Sequence, residues 1–306
     1  MSAVELSNIT KAYGGLPAVD DLSLIVPEGS VYGFIGPNGS GKTTTLRMIM
    51  RIIMPDRGTV RVMGEAAHGP ANNRVGYLPE ERGLYKQMKV KDVLHFYAEL
   101  KGHRATGAEI QGWLERLELG GAGDKKVEQL SKGMSQKVQF IATLIARPKL
   151  VILDEPFSGL DPVNAVLMRD QVLALKREGI TIIFSTHDMA VAERMCDSIF
   201  MIYKGRKVLD GTLDSIQQNY GNDIVRVRIE GGDCNSLAGL PGVLKVADFG
   251  NFQELRTATD CDPQALLAAL LKLGRVNHFE VTKPGLHDIF VRIASPEALK
   301  GETVLA

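Results

Sequence analysis

Residues 36–43, Gly-Pro-Asn-Gly-Ser-Gly-Lys-Thr, constrain this chain more than any other stretch. They fit the spacing G-x-x-x-x-G-K-[S/T] and follow an apolar run, Val31 to Ile35, that reads as a buried strand. Glycines at 36, 39 and 41 allow positive φ, so that successive backbone N–H groups converge on phosphate oxygens, and the helix that starts next favours the same anion through its dipole. The segment is expected to hold a nucleoside triphosphate. Gly36, Pro37, Asn38, Gly39, Ser40 and Gly41 would form the cradle and Lys42 would reach the β- and γ-phosphates. Thr43 would offer its hydroxyl to Mg²⁺, and Thr44 would give an N–H and a hydroxyl to phosphate.

Such a loop needs a metal-binding carboxylate nearby, and one strand ending supplies it: Leu150-Val151-Ile152-Leu153 runs directly into Asp154-Glu155. Open α/β sheets bind ligands at the carboxyl ends of their strands. Asp154 is therefore a candidate for Mg²⁺, and Glu155 for the base or water-positioning group in attack on the γ-phosphate. A second apolar run, Thr181 to Phe184, leads to Thr186-His187. Parallel neighbours would deliver Glu155 and His187 to the same edge, with His187 donating to the γ-phosphate or orienting the water.

The uninterrupted apolar runs suit a parallel sheet covered on both faces, with the helix Val163 to Arg177 as crossover. Ahead of the loop, Val4 to Ile9 and Leu22 to Val26 alternate like half-buried antiparallel strands. Thr44 to Ile53 reads as a helix, and Thr59 to Met63 and Arg74 to Leu78 as short strands. From Val90 to Ile145 the period is helical, with Val93, Phe96, Tyr97 and Leu100 on one face and Ile110, Trp113, Leu114 and Leu117 on another. This is expected to be an inserted helical subdomain, about 88–147. Lys204-Gly205-Arg206 reads as a hairpin turn at the sheet edge.

Length and pattern predict two domains, 1–220 and 221–306. The second is small and α+β, with strands at Ile224 to Ile229, Leu244 to Ala247, Gln253 to Ala258 and Phe279 to Thr282, and a helix from Pro263 to Leu273. Lys plus Arg equals Asp plus Glu at 36 each, which gives no sign of a nucleic-acid partner. Cys196, Cys234 and Cys261 show no metal-ligand spacing and suit a reduced, intracellular setting. No apolar run approaches the ~20 residues that cross a bilayer, and the N-terminus has no export pattern, so a soluble, unexported chain is expected.

At this point the residues resemble the ATP-binding cassette (ABC) family of transport ATPases, over residues 1 to about 215. Leu130-Ser131-Lys132-Gly133-Met134-Ser135-Gln136 stands where that family has its LSGGQ signature. Ser158-Gly159-Leu160-Asp161 matches its D-loop, His187 its switch histidine and Tyr13 the aromatic that stacks on adenine. The resemblance implies a P-loop NTPase core of α/β class with antiparallel N-terminal strands and a helical insertion. It also implies a head-to-tail dimer, homo- or heterodimeric with a second ABC ATPase, in which Ser131, Lys132, Gly133 and Met134 meet the partner's ATP. Ser131 and Gly133 stand just before an amphipathic helix, which agrees with that role.

Two departures stand out. Lys132 and Met134 replace Gly and Gln, and Glu80 in Gly76-Tyr77-Leu78-Pro79-Glu80 stands where the family has a glutamine that senses Mg²⁺. Lys132 could offset the added negative charge across the dimer. With Pro79-Glu80-Glu81-Arg82-Gly83-Leu84-Tyr85 and the ending Gly285 to Phe290, the chain looks similar to exporter-type cassettes such as the sodium-extrusion ATPases. That subgroup implies a separate integral membrane permease, whose coupling helix would sit near Glu80 to Val93, and a peripheral place on the inner face of the cell membrane. The alternative is a soluble, non-transport nucleotide switch with weak or no hydrolysis. For the C-terminal domain, a regulatory or dimer-stabilising role and passive packing both stay open.

Overall fold

The computed structural model describes residues 1–66, 73–81, 83–220, 224–230, 234–258 and 260–294. The Gly-, Ala- and Asn-rich connection ahead of Arg74 lies largely outside these residues, as do Arg82 and Gly221. Two compact units divide the chain, Met1–Asp210 and Gly211–Ala306.

In the first unit, β1 (Ser2–Tyr13) and β2 (Leu16–Pro27) form a long antiparallel hairpin. Strand β3 (Val31–Ile35) and helix α1 (Lys42–Ile49) follow. The chain then returns to β1 with β4 (Arg57–Val62) and β5 (Glu65–Ala66), completing a sheet of order β2-β1-β4-β5. Next come β6 (Val75–Leu78) and the helical insertion, α2 (Val90–Leu100), α3 (Gly107–Arg116) and α4 (Lys132–Leu144). Strand β7 (Leu150–Asp154), α5 (Pro162–Arg177), β8 (Thr181–Thr186), α6 (Met189–Met195), β9 (Ser198–Tyr203) and β10 (Arg206–Gly211) complete the second sheet. Its order is β10-β9-β3-β8-β7-β6, with β9, β3, β8, β7 and β6 paired in parallel.

Every residue of β3, β7 and β8 is buried, because successive side chains point to opposite faces and both faces are covered. Val151, Leu153, Ile182 and Phe184 pack with the helical insertion and α5. Leu150, Ile152, Ile183 and Phe34 pack with α1 and the antiparallel sheet. The sheet carrying the loop is thus clamped between two separate apolar layers.

Two local expectations shift. Helix α1 ends at Ile49 rather than Ile53, because Arg51 turns into a left-handed conformation (φ 60°) before Pro55 is reached. On α2 the buried face is Val90, Val93, Leu94 and Ala98, while Leu100 is 60% exposed and Phe96 and Tyr97 are half-buried. Of the stripe read from the sequence, Val93 is in the core and Tyr97 packs against it, while Leu100 is exposed and Phe96 lies edge-on to Tyr85 and to Tyr97.

The second unit opens with α7 (Leu213–Gln218), whose Gln217 Nε2 donates to the Pro284 carbonyl at 3.0 Å. The units thus part ahead of α7, whereas the sequence pattern changes after Tyr220. Then follow β11 (Ile224–Glu230), α8 (Cys234–Ala238), β12 (Val243–Asp248), β13 (Gln253–Thr257), α9 (Pro263–Leu273), β14 (Arg275–Thr282) and α10 (Leu286–Ala294). The antiparallel sheet has order β12-β13-β11-β14. Val225, Val227 and Ile229 of β11 turn to a core with Leu255, Leu266 and Leu270, while Arg226 and Arg228 face out. Strand β14 starts at Arg275, ahead of the expected Phe279, because it pairs with β11 up to Glu230. Among the described residues no helix is long and apolar enough to cross a membrane.

Candidate nucleotide site

Adjacent strands deliver the candidate residues to one edge. Ile35, last in β3, lies opposite Thr186 of β8, and Ser185 of β8 lies opposite Asp154 of β7. The residues immediately beyond, Gly36, Glu155 and His187, consequently share the carboxyl end of the sheet.

The loop after β3 is sterically locked. Gly36 has φ 157°, and a methyl group built on it would lie 2.3 Å from the Ile202 carbonyl oxygen; on Gly41 (φ 109°) it would lie 2.5 Å from that of Ala18. Only glycine fits at either position. Helix α1 starts at Lys42 with no side-chain cap and no acidic residue in its first turn, which leaves its N-terminal dipole available to an anion. Lys42 is buried, and its Nζ donates to the carbonyls of Gly36 (2.6 Å) and Pro37 (3.1 Å). Burial lowers its pKa, while Glu155, Asp154 and Glu80 act against that shift.

Ser40 Oγ is buried with no partner among the described residues. A buried unsatisfied hydroxyl is costly unless something is meant to meet it, so this donor, the open helix terminus and the buried ammonium fit a phosphate chain. The loop residues 38–44 line a cleft of about 460 Å³ together with Tyr13, Glu80, Asp154 and Glu155. Tyr13, at the end of β1, is 52% exposed there, with Lys11 Nζ 5.8 Å from its ring centre.

Across the cleft, Asp154 is buried and its carboxyl pKa is raised, first by desolvation and then by Glu80 and Glu155; Ser185 and Lys42 pull it back. Asp154, Glu155 and Glu80 line the cleft with the oxygen donors a hard cation takes, although among the described residues no three such groups converge as a formed metal site. Glu155 has φ 49°, a strained conformation for a residue with a side chain. Its N–H donates to the Ser185 carbonyl at 3.0 Å. Its Oε1 accepts from the His187 N–H (2.9 Å) and lies 2.7 Å from His187 Nδ1. An ionised carboxylate only accepts, so Nδ1 carries the proton and Nε2 is left for another partner.

The signature-like segment opens α4, whose Lys132 and Gln136 line a second cleft with Glu80, Asp154 and Glu155. Ser131 caps α4, its hydroxyl accepting from the Met134 N–H at 3.2 Å. Lys132 is exposed and Gly133 half-buried at the start of the helix. Met134 is half-buried against the helical-insertion core, so its side chain is a packing group, and its N–H is already taken by Ser131. Asp161 caps α5, accepting from the N–H groups of Val163 and Asn164 and from the Asn164 side-chain amide. Sequence reasoning passed over two residues here. One is Asn164; the other is Gln136, whose buried amide donates to the Pro156 carbonyl at 2.5 Å and ties α4 to the loop after Glu155. Gln136 ends the signature-like run itself, which was the available signal.

A triphosphate cradle at one strand end and a carboxylate–histidine pair at the next two define a nucleotide-hydrolysing cassette. The known proteins agree. The ABC transporter family model matches residues 19–158, and the model for the C-terminal domain of DrrA1-3-like ATP-binding proteins matches residues 211–294. The chain is 40% identical to the uncharacterized ABC transporter ATP-binding protein YhaQ of Bacillus subtilis, over 94% of this chain and 96% of the relative. It is 33% identical to the Nod factor export ATP-binding protein I of Burkholderia orbicola, over 97% and 98%. With the daunorubicin/doxorubicin resistance ATP-binding protein DrrA of Streptomyces peucetius it shares 31%, over 97% and 93%. Among solved structures, the ATP-binding subunit of an ABC transporter superposes with TM-score 0.67 at 31% identity, over 72% of this chain and 93% of that one. This chain belongs to the ATP-binding proteins of ABC transporters: it binds ATP and is an ATPase that powers transport. These relatives do not favour the non-transport switch.

Proposed function

We propose that this chain drives an exporter, working as a head-to-tail dimer on a separate permease at the cytoplasmic face of the membrane. The observation that carries the chemistry is Glu155 Oε1 held 2.7 Å from His187 Nδ1 beside the phosphate loop. Water attacks the γ-phosphorus as Glu155 accepts its proton, and the bond to the β-phosphate oxygen breaks to leave ADP and phosphate. His187, its Nδ1–H anchored on Glu155, presents an Nε2 lone pair that accepts from the water; donating to the γ-phosphate there would take the doubly protonated ring. Thr43 and Asp154, with Glu80 beside them, would hold Mg²⁺, which would supply positive charge to the phosphate oxygens. Ser131 and Gly133 approach the partner's γ-phosphate with the N-terminus of α4, so ATP closes the dimer and hydrolysis reopens it.

Support for the exporter reading is the full-length likeness to the Nod factor export and drug-resistance proteins, which extends through the second unit. We take that unit as an accessory domain. The permease's coupling helix would sit near Glu80 to Val93, where Leu84 lines an apolar cleft of about 470 Å³ with Tyr77, Tyr97, Leu100, Ala142 and Pro148. This is where Tyr97 and Leu100 of the α2 stripe find a use.

Glu155→Gln tests the base. Hydrolysis should fall about a hundredfold or more while ATP still binds, and an ATP-bound dimer should accumulate on size exclusion. A normal rate removes Glu155 from the role. Gentle solubilisation with Mg-ATP should recover a stoichiometric polytopic membrane protein with the tagged chain; recovery without one counts against a permease partner.

A further inference from the structure

Lys132 replaces a glycine of the family signature, and its amine does not simply extend into solvent. A methyl group built on Gly159 would lie 2.7 Å from Lys132 Nζ and 3.1 Å from its Cε, so the lysine stem lies across the backbone of Gly159 in the same chain. Gly159 is left-handed, φ 72°, and the absent Cβ is what makes room for the ammonium.

This contact belongs to a series. One turn further along α4, the buried Gln136 amide donates to the Pro156 carbonyl. Between them, a Cβ on Gly133 would sit 3.7 Å from both Leu160 Cδ2 and Asn164 Nδ2. The first two turns of α4 therefore lie along the loop 155–161, which carries Glu155 at one end and Asp161 at the other. A cleft of about 510 Å³ runs beside it, with Lys132 on one wall and Glu80, Glu81, Asp154 and Glu155 on others. No carboxylate among the described residues is within ion-pair distance of Lys132, so its hold on the loop is contact with Gly159 rather than a salt bridge.

We propose that Lys132 is a positioning residue acting within its own protomer: it braces the loop 155–161 against α4 and so fixes Glu155 and Asp161 before any partner arrives. This differs from charge compensation across a dimer, and it rests on the functional reading of Glu155 given above. Because the contact is intramolecular, it acts in the nucleotide-free chain, where a bond to a partner's phosphate cannot.

The test is hydrogen exchange on the nucleotide-free, full-length protein. The reporters are the amides of Ser158 and Leu160, which donate to the carbonyls of Glu155 (3.1 Å) and Phe157 (3.2 Å). In Lys132→Ala both should exchange about fivefold faster or more, while the amides of β3 and β7 stay as in the parent chain. Gly159→Ala should also speed them, through collision with Lys132 and through left-handed strain. In the double variant the collision is gone and the strain remains, so the two effects should fall short of multiplying by about fivefold. In steady state Lys132→Ala should lower kcat and leave KM for ATP within twofold. Unchanged exchange at Ser158 and Leu160, or effects that multiply independently, overturns the proposal. So does raised KM with parental exchange, which assigns Lys132 to the partner's nucleotide. Glu155→Gln run alongside keeps the outcomes separate: if it hydrolyses normally the catalytic reading fails, while the exchange data still decide the brace.

Discussion

Helices α1 and α4 both begin where the sequence calls for phosphate, yet they are built in opposite ways. The start of α1 is enclosed: glycines that admit no Cβ, a buried lysine bonded to its own loop, and a buried serine hydroxyl with no partner among the described residues. The start of α4 is already capped by Ser131, with a half-buried glycine whose Cβ would touch nothing closer than 3.7 Å. One terminus is strained and incomplete without a ligand; the other is content in its own chain. Gly133 has no steric reason inside the protomer to be glycine, which the head-to-tail dimer proposed above would explain.

The comparison can be broken at its enclosed end first. Lys42→Ala removes the buried ammonium from the cradle and should weaken ATP binding by the single chain about a hundredfold or more, read by titration with a fluorescent ATP analogue. Binding within a few-fold of the parent chain would show that the cradle does not need its charge. At the capped end, Ser131→Ala should leave that binding within about twofold. It should lower hydrolysis about tenfold by removing a hydroxyl from a charged oxygen, and cost about 1 kcal/mol in denaturant unfolding through the lost cap. If Ser131→Ala instead weakens binding by the isolated chain, the division of labour between the two termini is wrong.

How much of this could be read from sequence depended on range. The phosphate loop and the Asp154-Glu155 ending are local, each a strand followed directly by its functional residues, and both were legible with their neighbours on the sheet. The helix Pro263–Leu273 was legible to the residue because Asp262 caps it ahead of Pro263 and Gly274 ends it. The end of α1 was not, since the left-handed turn at Arg51 leaves no mark in composition. The stripe on α2 was seen as one face, of which only Val93 and Tyr97 meet the core. Its apolar period is real, but periodicity gives a face and not what covers it, and Tyr97 and Leu100 line an open cleft. The rest of Lys132 on Gly159 joins residues far apart in sequence through packing alone, so spacing could suggest only the partner-facing reading.

The smallest effect lies behind the enclosed site and sharpens the claim that it is rigid. Gly33 sits on β3 just ahead of the loop, and a Cβ there would lie 2.7 Å from Cys196 Sγ, so the thiol fills the space that the glycine leaves. Burial pushes the Cys196 pKa up to about 12; the Asp197 carboxylate adds to the rise and Lys176 opposes it. With a pKa that high, roughly one thiol in ten thousand is ionised at pH 8, and the thiolate is the form that alkylates. In a chain with Cys234 and Cys261 replaced by Ser, iodoacetamide at pH 8 should label Cys196 about a thousandfold more slowly than in the urea-unfolded protein. Labelling at the unfolded rate would mean that β3 opens readily from behind. The enclosed cradle would then owe its shape to bound nucleotide, and the contrast between α1 and α4 would be one of ligand occupancy instead of packing.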